Sequence, residues 1–202
     1  VGMGVKISII DKRAHHRLCA WGIAAPGPTR IVVDSSSVLA DVLIKVKNAA
    51  GRGKISLLSI TAHGFGRQDA KGRMHGGFGV EFCKDTINLK TVRQFRKLRG
   101  MFDSKALGIE LVGCAAAGNH RLTTAQGKSV AAFGWRMCKE LAGHTLTGVK
   151  ASTDMQDLDL KRYSYVTRVH GIPTSKTNTC ADPGKWEGQV WIFAPNGMVR
   201  KV

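Results

Sequence analysis

The chain has 202 residues and carries 31 lysines and arginines against 14 aspartates and glutamates, a formal net charge of +17. That length fits one domain able to bury a real core. A mean hydropathy of -0.10, with no apolar window near the ~20 residues of a membrane span, excludes a helical membrane protein and reads as a soluble one. Five cysteines, odd in number and without a CxxC pair, argue against a disulfide framework or a zinc ribbon and for mostly reduced thiols. No signal peptide is visible in VGMGVKISII. The expected setting is a reducing, cytoplasmic compartment, or delivery as part of a larger protein. A surface this basic attracts polyanions and acidic partners without fixing fold or chemistry.

In chain order, strands are predicted near 5–10 and 30–33, then a helix over 38–49 whose apolar stripe is Val38, Leu39, Val42, Leu43 and Val46. Serines 35–37 offer its N-cap and Gly51 its stop. ISLLSITAH (55–63) is too continuously apolar for an exposed strand and reads as a central one. A Gly-rich loop (64–79) and a short strand around 80–82 follow. A second helix over 90–99 buries Leu89, Val92, Phe95 and Leu98 and turns Arg93, Arg96, Lys97 and Arg99 outward. This is the densest part of a basic region, Lys84 to Lys105, with seven basic residues and two acids. Strand GIELVGC (108–114) precedes a loop and a third helix over 127–142, capped by Gly143. Strand TLTGVKAS (145–152) closes the core. In the tail, YSYVTRV reads as a strand, a Pro/Thr/Asn segment as a loop, and QVWIF and MVRKV as a hairpin about Asn196-Gly197. The fold class is therefore α/β: a mainly parallel sheet flanked by helices, in a single domain of 1–202, with the core at about 30–155 and a strand and hairpin extension over 160–202.

Two buried strands end in a reactive residue beside a glycine: SITAHG in His63-Gly64, and ELVGC in Gly113-Cys114. In open parallel sheets ligands bind beyond the carboxyl ends of the strands, so neighbouring strands would bring imidazole and thiol into one crevice. Small residues follow the cysteine, Ala115 to Gly118, and leave room for a substrate backbone. The competing bland assignment is a core cysteine, since thiols pack as small hydrophobes.

TAHG and LVGCAAAG resemble the His-Gly and strand-Cys motifs of the caspase-hemoglobinase group of cysteine peptidases (clan CD), which includes caspases, legumains, gingipains and separases. The 51-residue separation is similar to the caspase spacing of about 50. The run GKSVAAFGWRMCKELAGHTLTGVKAST is similar to an uncharacterised bacterial branch of that fold. The likeness covers roughly 30–155, and the caspase signature around the nucleophile is absent. The resemblance implies a caspase-like fold with helices on both faces of the sheet. It implies Cys114 as nucleophile, His63 as general acid/base and the backbone amides of Gly64 and Cys114 as oxyanion hole, with no cofactor and no metal. A cysteine endopeptidase acting on polypeptides through a thioester acyl-enzyme is the implied function.

Asp154, Asp157 and Asp159 place three of the 14 acids within six residues. On the crevice side, Asp154 and Asp157 would hold a basic side chain of the substrate, giving cleavage after Lys or Arg; a solvated loop is the plainer alternative. The Asp-x-x-Asp-x-Asp oxygens do not have the spacing of an EF-hand. His75 and His120 are rival partners for Cys114, ranked below His63, which ends a strand. His15-His16-Cys19 lacks the second half of a metal site. Cys83 and Cys138 sit in apolar patterns as core residues, and Trp186 and Trp191 are either core or a recognition surface. The GFG and GGFG pieces lead into loop rather than helix and do not make a phosphate cradle. A second function class stays open: a catalytically inactive module of the same fold whose basic surface holds nucleic acid or an acidic protein partner.

Overall fold

The computed structural model describes residues 4–15, 29–154, 159–169, 172–182, 186 and 188–202. A seven-stranded sheet contains β1 (Val5–Asp11), β2 (Thr29–Val33), β3 (Ile55–Thr61), β4 (Ile109–Val112), β5 (Val149–Ser152), β6 (Val190–Phe193) and β7 (Val199–Lys201), in the spatial order β7-β6-β5-β4-β3-β1-β2. The first five in sequence are parallel, and β6 and β7 close one edge antiparallel. β3 lies between β1 and β4, the interior place its continuous apolar character predicts. Among the described residues no helix is long and apolar enough to cross a membrane.

Chain direction explains how the sheet is covered. The connections from β2 to β3, β3 to β4 and β4 to β5 all step the same way across the sheet, so right-handed crossovers put their helices on one face. Those helices are α1 (Leu39–Ala50), a seven-residue 3-10 helix (Val92–Leu98) and α2 (Gly134–Thr145), and the 3-10 helix packs against both others. Ile7, Ile9, Leu58, Ile60, Ile109, Leu111 and Val149 point into this layer and are fully or almost fully buried. The opposite face carries a polar row in register, Ser8, Ser59, Glu110 and Lys150, all half-buried. Lys150 Nζ lies 3.3 Å from Glu110 Oε1 there, a cross-strand ion pair. Helices on both faces are thus not what the described residues form. The one connection stepping the other way, β1 to β2, runs largely through 16–28, outside them.

Local differences from the sequence reading have physical causes. α1 takes its N-terminal support from a distant carboxylate, Asp85 Oδ2, which accepts the Leu39 N–H at 2.7 Å. The predicted serine cap instead folds back on Asp34, which accepts from the Ser36 and Ser37 hydroxyls. The segment predicted as a helix over 90–99 is a 3-10 helix because Leu89, Val92, Phe95 and Leu98 recur every third residue, the period that helix stacks on one side. Its arginines and Lys97 face solvent as expected. The helix predicted to begin at Gly127 begins at Gly134. Gly127 instead adopts φ +72° in the turn of a hairpin pairing 121–123 with 129–131. Helix α2 also runs past Gly143 to Thr145, whose hydroxyl donates to the Leu141 carbonyl, and it ends on Leu146 in the left-handed conformation. In the tail, Asn196-Gly197 does turn β6 into β7, with Met198 N–H on Asn196 Oδ1. The predicted Pro/Thr/Asn loop is a strand: 172–182 pairs antiparallel with 159–169 in a separate ribbon.

Candidate functional site

Adjacent parallel strands bring the two motifs together. Thr61 of β3 pairs with Val112 of β4, so His63 and Cys114 each lie two residues beyond that pair, at the carboxyl edge. The approach is close enough that a Cβ on Gly64 would overlap the Cys114 carbonyl oxygen, which explains the glycine after the histidine. Beyond Cys114 the chain turns sharply: Ala115 adopts φ +49°, a left-handed value uncommon outside glycine, and its N–H donates to the Asp154 carbonyl at 2.7 Å. The turn leaves Cys114 at the rim, half-buried, while Cys83 and Cys138 are buried. Burial, aided by the Asp11 charge, pushes the Cys83 thiol up to about 12, and burial alone pushes Cys138 up as well. Of the three cysteine side chains described, Cys114 is the one that solvent reaches.

His63 is exposed and anchored across the sheet. Its Nε2 lies 2.8 Å from the carbonyl oxygen of Arg13, in the 3-10 turn that follows β1. A carbonyl only accepts, so this contact puts the proton on Nε2 and leaves Nδ1 as the basic nitrogen. Because β2 and β3 lie on opposite sides of β1, the chain reverses its lateral direction between β1 and β3. That reversal is where open α/β sheets place their binding crevice, and the His63–Arg13 bond spans it.

Arg13 is held in turn by a side-chain clamp. Asp11, fully buried at the end of β1, accepts from the Arg13 Nε–H (2.9 Å), a guanidinium N–H (2.7 Å) and the Arg13 and Cys83 main-chain N–H groups. The guanidinium also meets Glu81 at 3.1 Å and the Cys83 carbonyl at 2.7 Å. Burial alone would raise the Asp11 carboxyl, but these donors outweigh it and hold it below the usual 3.8. The sequence alone does not single out Asp11 and Arg13. Their signal is weak: an Asp-x-Arg at the carboxyl end of an apolar strand, with partners 68 to 72 residues away.

Of the two amides predicted for an oxyanion hole, that of Gly64 is oriented by its ladder. His63-Gly64 pairs antiparallel with Val80-Glu81, and the Phe65 N–H donates to the Gly79 carbonyl. Alternation then turns the Gly64 N–H away from that ladder, to the side where Cys114 lies. The Ala115 amide is spent on Asp154, so it does not compete for the role.

Asp154 sits beside this turn, and its Oδ2 accepts from the Gln189 N–H (2.7 Å) and the Thr153 hydroxyl (2.8 Å). It therefore ties the turn after Cys114 to the chain leading into β6. Asp157 lies outside the described residues, as do His16 and Cys19. Trp186 is half-buried with Lys150 Nζ 4.7 Å from its ring centre, and Trp191 packs edge-on against Trp135. Among the described residues no group of three His, Cys, Asp or Glu side chains is arranged to hold a metal ion.

The rival histidines form their own cluster on the Gly-rich loop. His75 Nε2 lies 3.0 Å from Asp69 Oδ2, and its ring stands 5.4 Å from that of His120. The His120 Nε2 is buried with no hydrogen-bond partner among the described residues. Burial and the neighbouring His75 lower its pKa from the usual 6.5, so the folded state disfavours the protonated ring. The unfolded chain then binds more protons below pH 6.5, and stability falls as the medium acidifies through that value. His120→Phe removes the unpaired nitrogen while keeping an aromatic ring beside Phe78. It is expected to gain up to about 1 kcal/mol at neutral pH and to shrink the loss on acidification, as read from denaturant midpoints at several pH values.

Compared with protein-family models, with curated proteins and with solved structures, the chain gives no match.

Proposed function

We propose that this protein is a cysteine endopeptidase in which Cys114 is the nucleophile and His63 the general acid/base. The observation that carries the proposal is the His63 Nε2 contact to the Arg13 carbonyl, beside a solvent-reachable Cys114 on the next strand. It fixes the tautomer that presents a basic Nδ1, as a Cys/His pair requires. The Cys114 thiol passes its proton to His63 Nδ1, and the thiolate attacks the carbonyl carbon of the scissile peptide. The C–N bond breaks, the leaving amine takes its proton from His63, and a thioester remains on Cys114. Water then attacks the thioester and gives its proton to His63, the C–S bond breaks to release the acid, and His63 returns the proton to the departing thiolate. The amides of Gly64 and Cys114 are assigned to the developing oxyanion, where fixed donors contribute most. Asp154, next to the turn, is assigned the substrate's basic side chain before the cleaved bond.

A catalytically silent binding module is the second reading, and the exposed Arg93, Arg96, Lys97 and Arg99 favour it. Incubation with a peptide library, with new termini mapped by mass spectrometry, separates the two. Discrete cleavage that vanishes in Cys114→Ala supports the peptidase. Steeply salt-dependent polyanion binding with no cleavage, or cleavage that persists in Cys114→Ala, overturns it.

A further inference from the structure

Two adjoining cavities lie between the Gly-rich loop and the hairpin that follows His120. One, of about 260 Å³, is lined by Lys71, Arg73, His75 and Arg121 among others. The second, of about 460 Å³, shares Asp69 and Ala70 with it and adds Arg67. Two short hairpins form the walls, one pairing 67–68 with 74–75 and the other 121–123 with 129–131, joined by the Ala70 N–H to the Thr123 carbonyl.

Four cationic side chains thus face one acid. That acid, Asp69, is already saturated: it accepts from the Lys71 and Arg73 main-chain N–H groups, from the Arg73 Nε–H at 2.8 Å and from His75. Arg67 lies over the Phe78 ring, 5.3 Å from its centre, which fixes the guanidinium without neutralising it. Neither Lys71 nor Arg121 has an acidic partner among the described residues. The groove therefore offers uncompensated positive charge in concave, partly enclosed space, where a carboxylate gains paired, charge-assisted hydrogen bonds.

The loop that lines the groove packs against the turn after Cys114. Gly76 follows the groove residue His75, and its backbone lies so close to the catalytic turn that a Cβ there would stand 2.5 Å from the Ala115 Cβ and 3.0 Å from the Cys114 carbonyl oxygen. An extended substrate advances about 3.3 Å per residue, so a chain crossing Cys114 reaches the groove within a few residues.

We infer that this groove is a subsite for acidic side chains of the polypeptide substrate, two or more residues from the cleaved bond. This rests on the peptidase proposal for its orientation, and concerns a position apart from the one assigned to Asp154. A peptide suits the groove better than a nucleic acid does, because the lining has no Phe, Tyr or Trp side chain to serve as a stacking platform for successive bases.

Binding is measured on the Cys114→Ala protein, so that no chemistry enters, by fluorescence anisotropy with a labelled oligo-glutamate peptide and with a labelled single-stranded oligonucleotide. The expected result is oligo-glutamate binding weakened about 10-fold or more by Lys71→Glu with Arg121→Glu, and little changed by Arg93→Glu with Lys97→Glu on the 3-10 helix. Circular dichroism verifies that the variants fold, and milder Lys71→Gln and Arg121→Gln changes, expected to show a smaller loss of the same sign, stand in for any that do not. Equal losses from both pairs, no oligo-glutamate binding, or tighter groove-dependent binding of the oligonucleotide would each overturn the inference. Groove-dependent peptide binding in a protein whose wild type cleaves nothing would sustain the acidic-peptide subsite while removing the peptidase proposal.

Discussion

His63→Ala is expected to lower kcat/KM for peptide cleavage by about 10²- to 10⁴-fold, the usual contribution of a positioned acid/base, with the fold unchanged. The ring is exposed and belongs to no core cluster, so its removal leaves no cavity. On the proposed mechanism, what is lost is the proton donor for the leaving amine. The fall should appear in kcat rather than KM, because the group acts on the transition state. Substrates with activated leaving groups, which need no proton, should suffer less. A uniform loss across leaving groups would instead point to a damaged binding site.

Asp11→Ala should be the most destabilising single change around the site, costing about 3–5 kcal/mol by denaturant unfolding, the range for removing one partner of a buried ion pair. Asp11 is fully buried and receives four hydrogen bonds. Without it, the Cys83 N–H loses its acceptor in the interior and the Arg13 guanidinium keeps only Glu81 and the Cys83 carbonyl. Because its folded pKa is depressed, the stability Asp11 confers is present above the ordinary 3.8 and is lost as pH falls below it. The variant should therefore lose part of the wild type's acid sensitivity. It should also lose activity in the fraction that stays folded, since the Arg13 carbonyl that orients His63 is released. Unchanged turnover in folded Asp11→Ala protein would mean that the Arg13 contact does not position the histidine.

The strands that carry His63 and Cys114 are legible in the sequence because their signals are local. Apolar runs that end in His-Gly and Gly-Cys announce both the buried strand and the point where it surfaces, and the β3–β4 register then aligns them. Secondary structure set by distant partners was harder to read. The stripe of Val130, Phe133, Met137 and Leu141 fits a helix, yet its first part pairs as a strand because the 121–123 segment lies within reach across a Gly127 turn. The period-three run from Leu89 to Leu98 is visible in the sequence, but over so short a segment it differs little from the commoner α period. Arg13 and Asp69 cannot be singled out from sequence, because their meaning depends on what folds beside them. The coverage of one sheet face by helices follows from strand order, which periodicity does not contain.

Labelling with a peptidyl electrophile, followed by peptide mapping, tests the central claim most directly. The account predicts one adduct, on Cys114, that is absent in Cys114→Ser and slowed in His63→Ala, with Cys83 and Cys138 unmodified while the protein stays folded. Labelling of Cys114 no faster than a simple thiol at the same pH, or equal labelling with His63 removed, would contradict it.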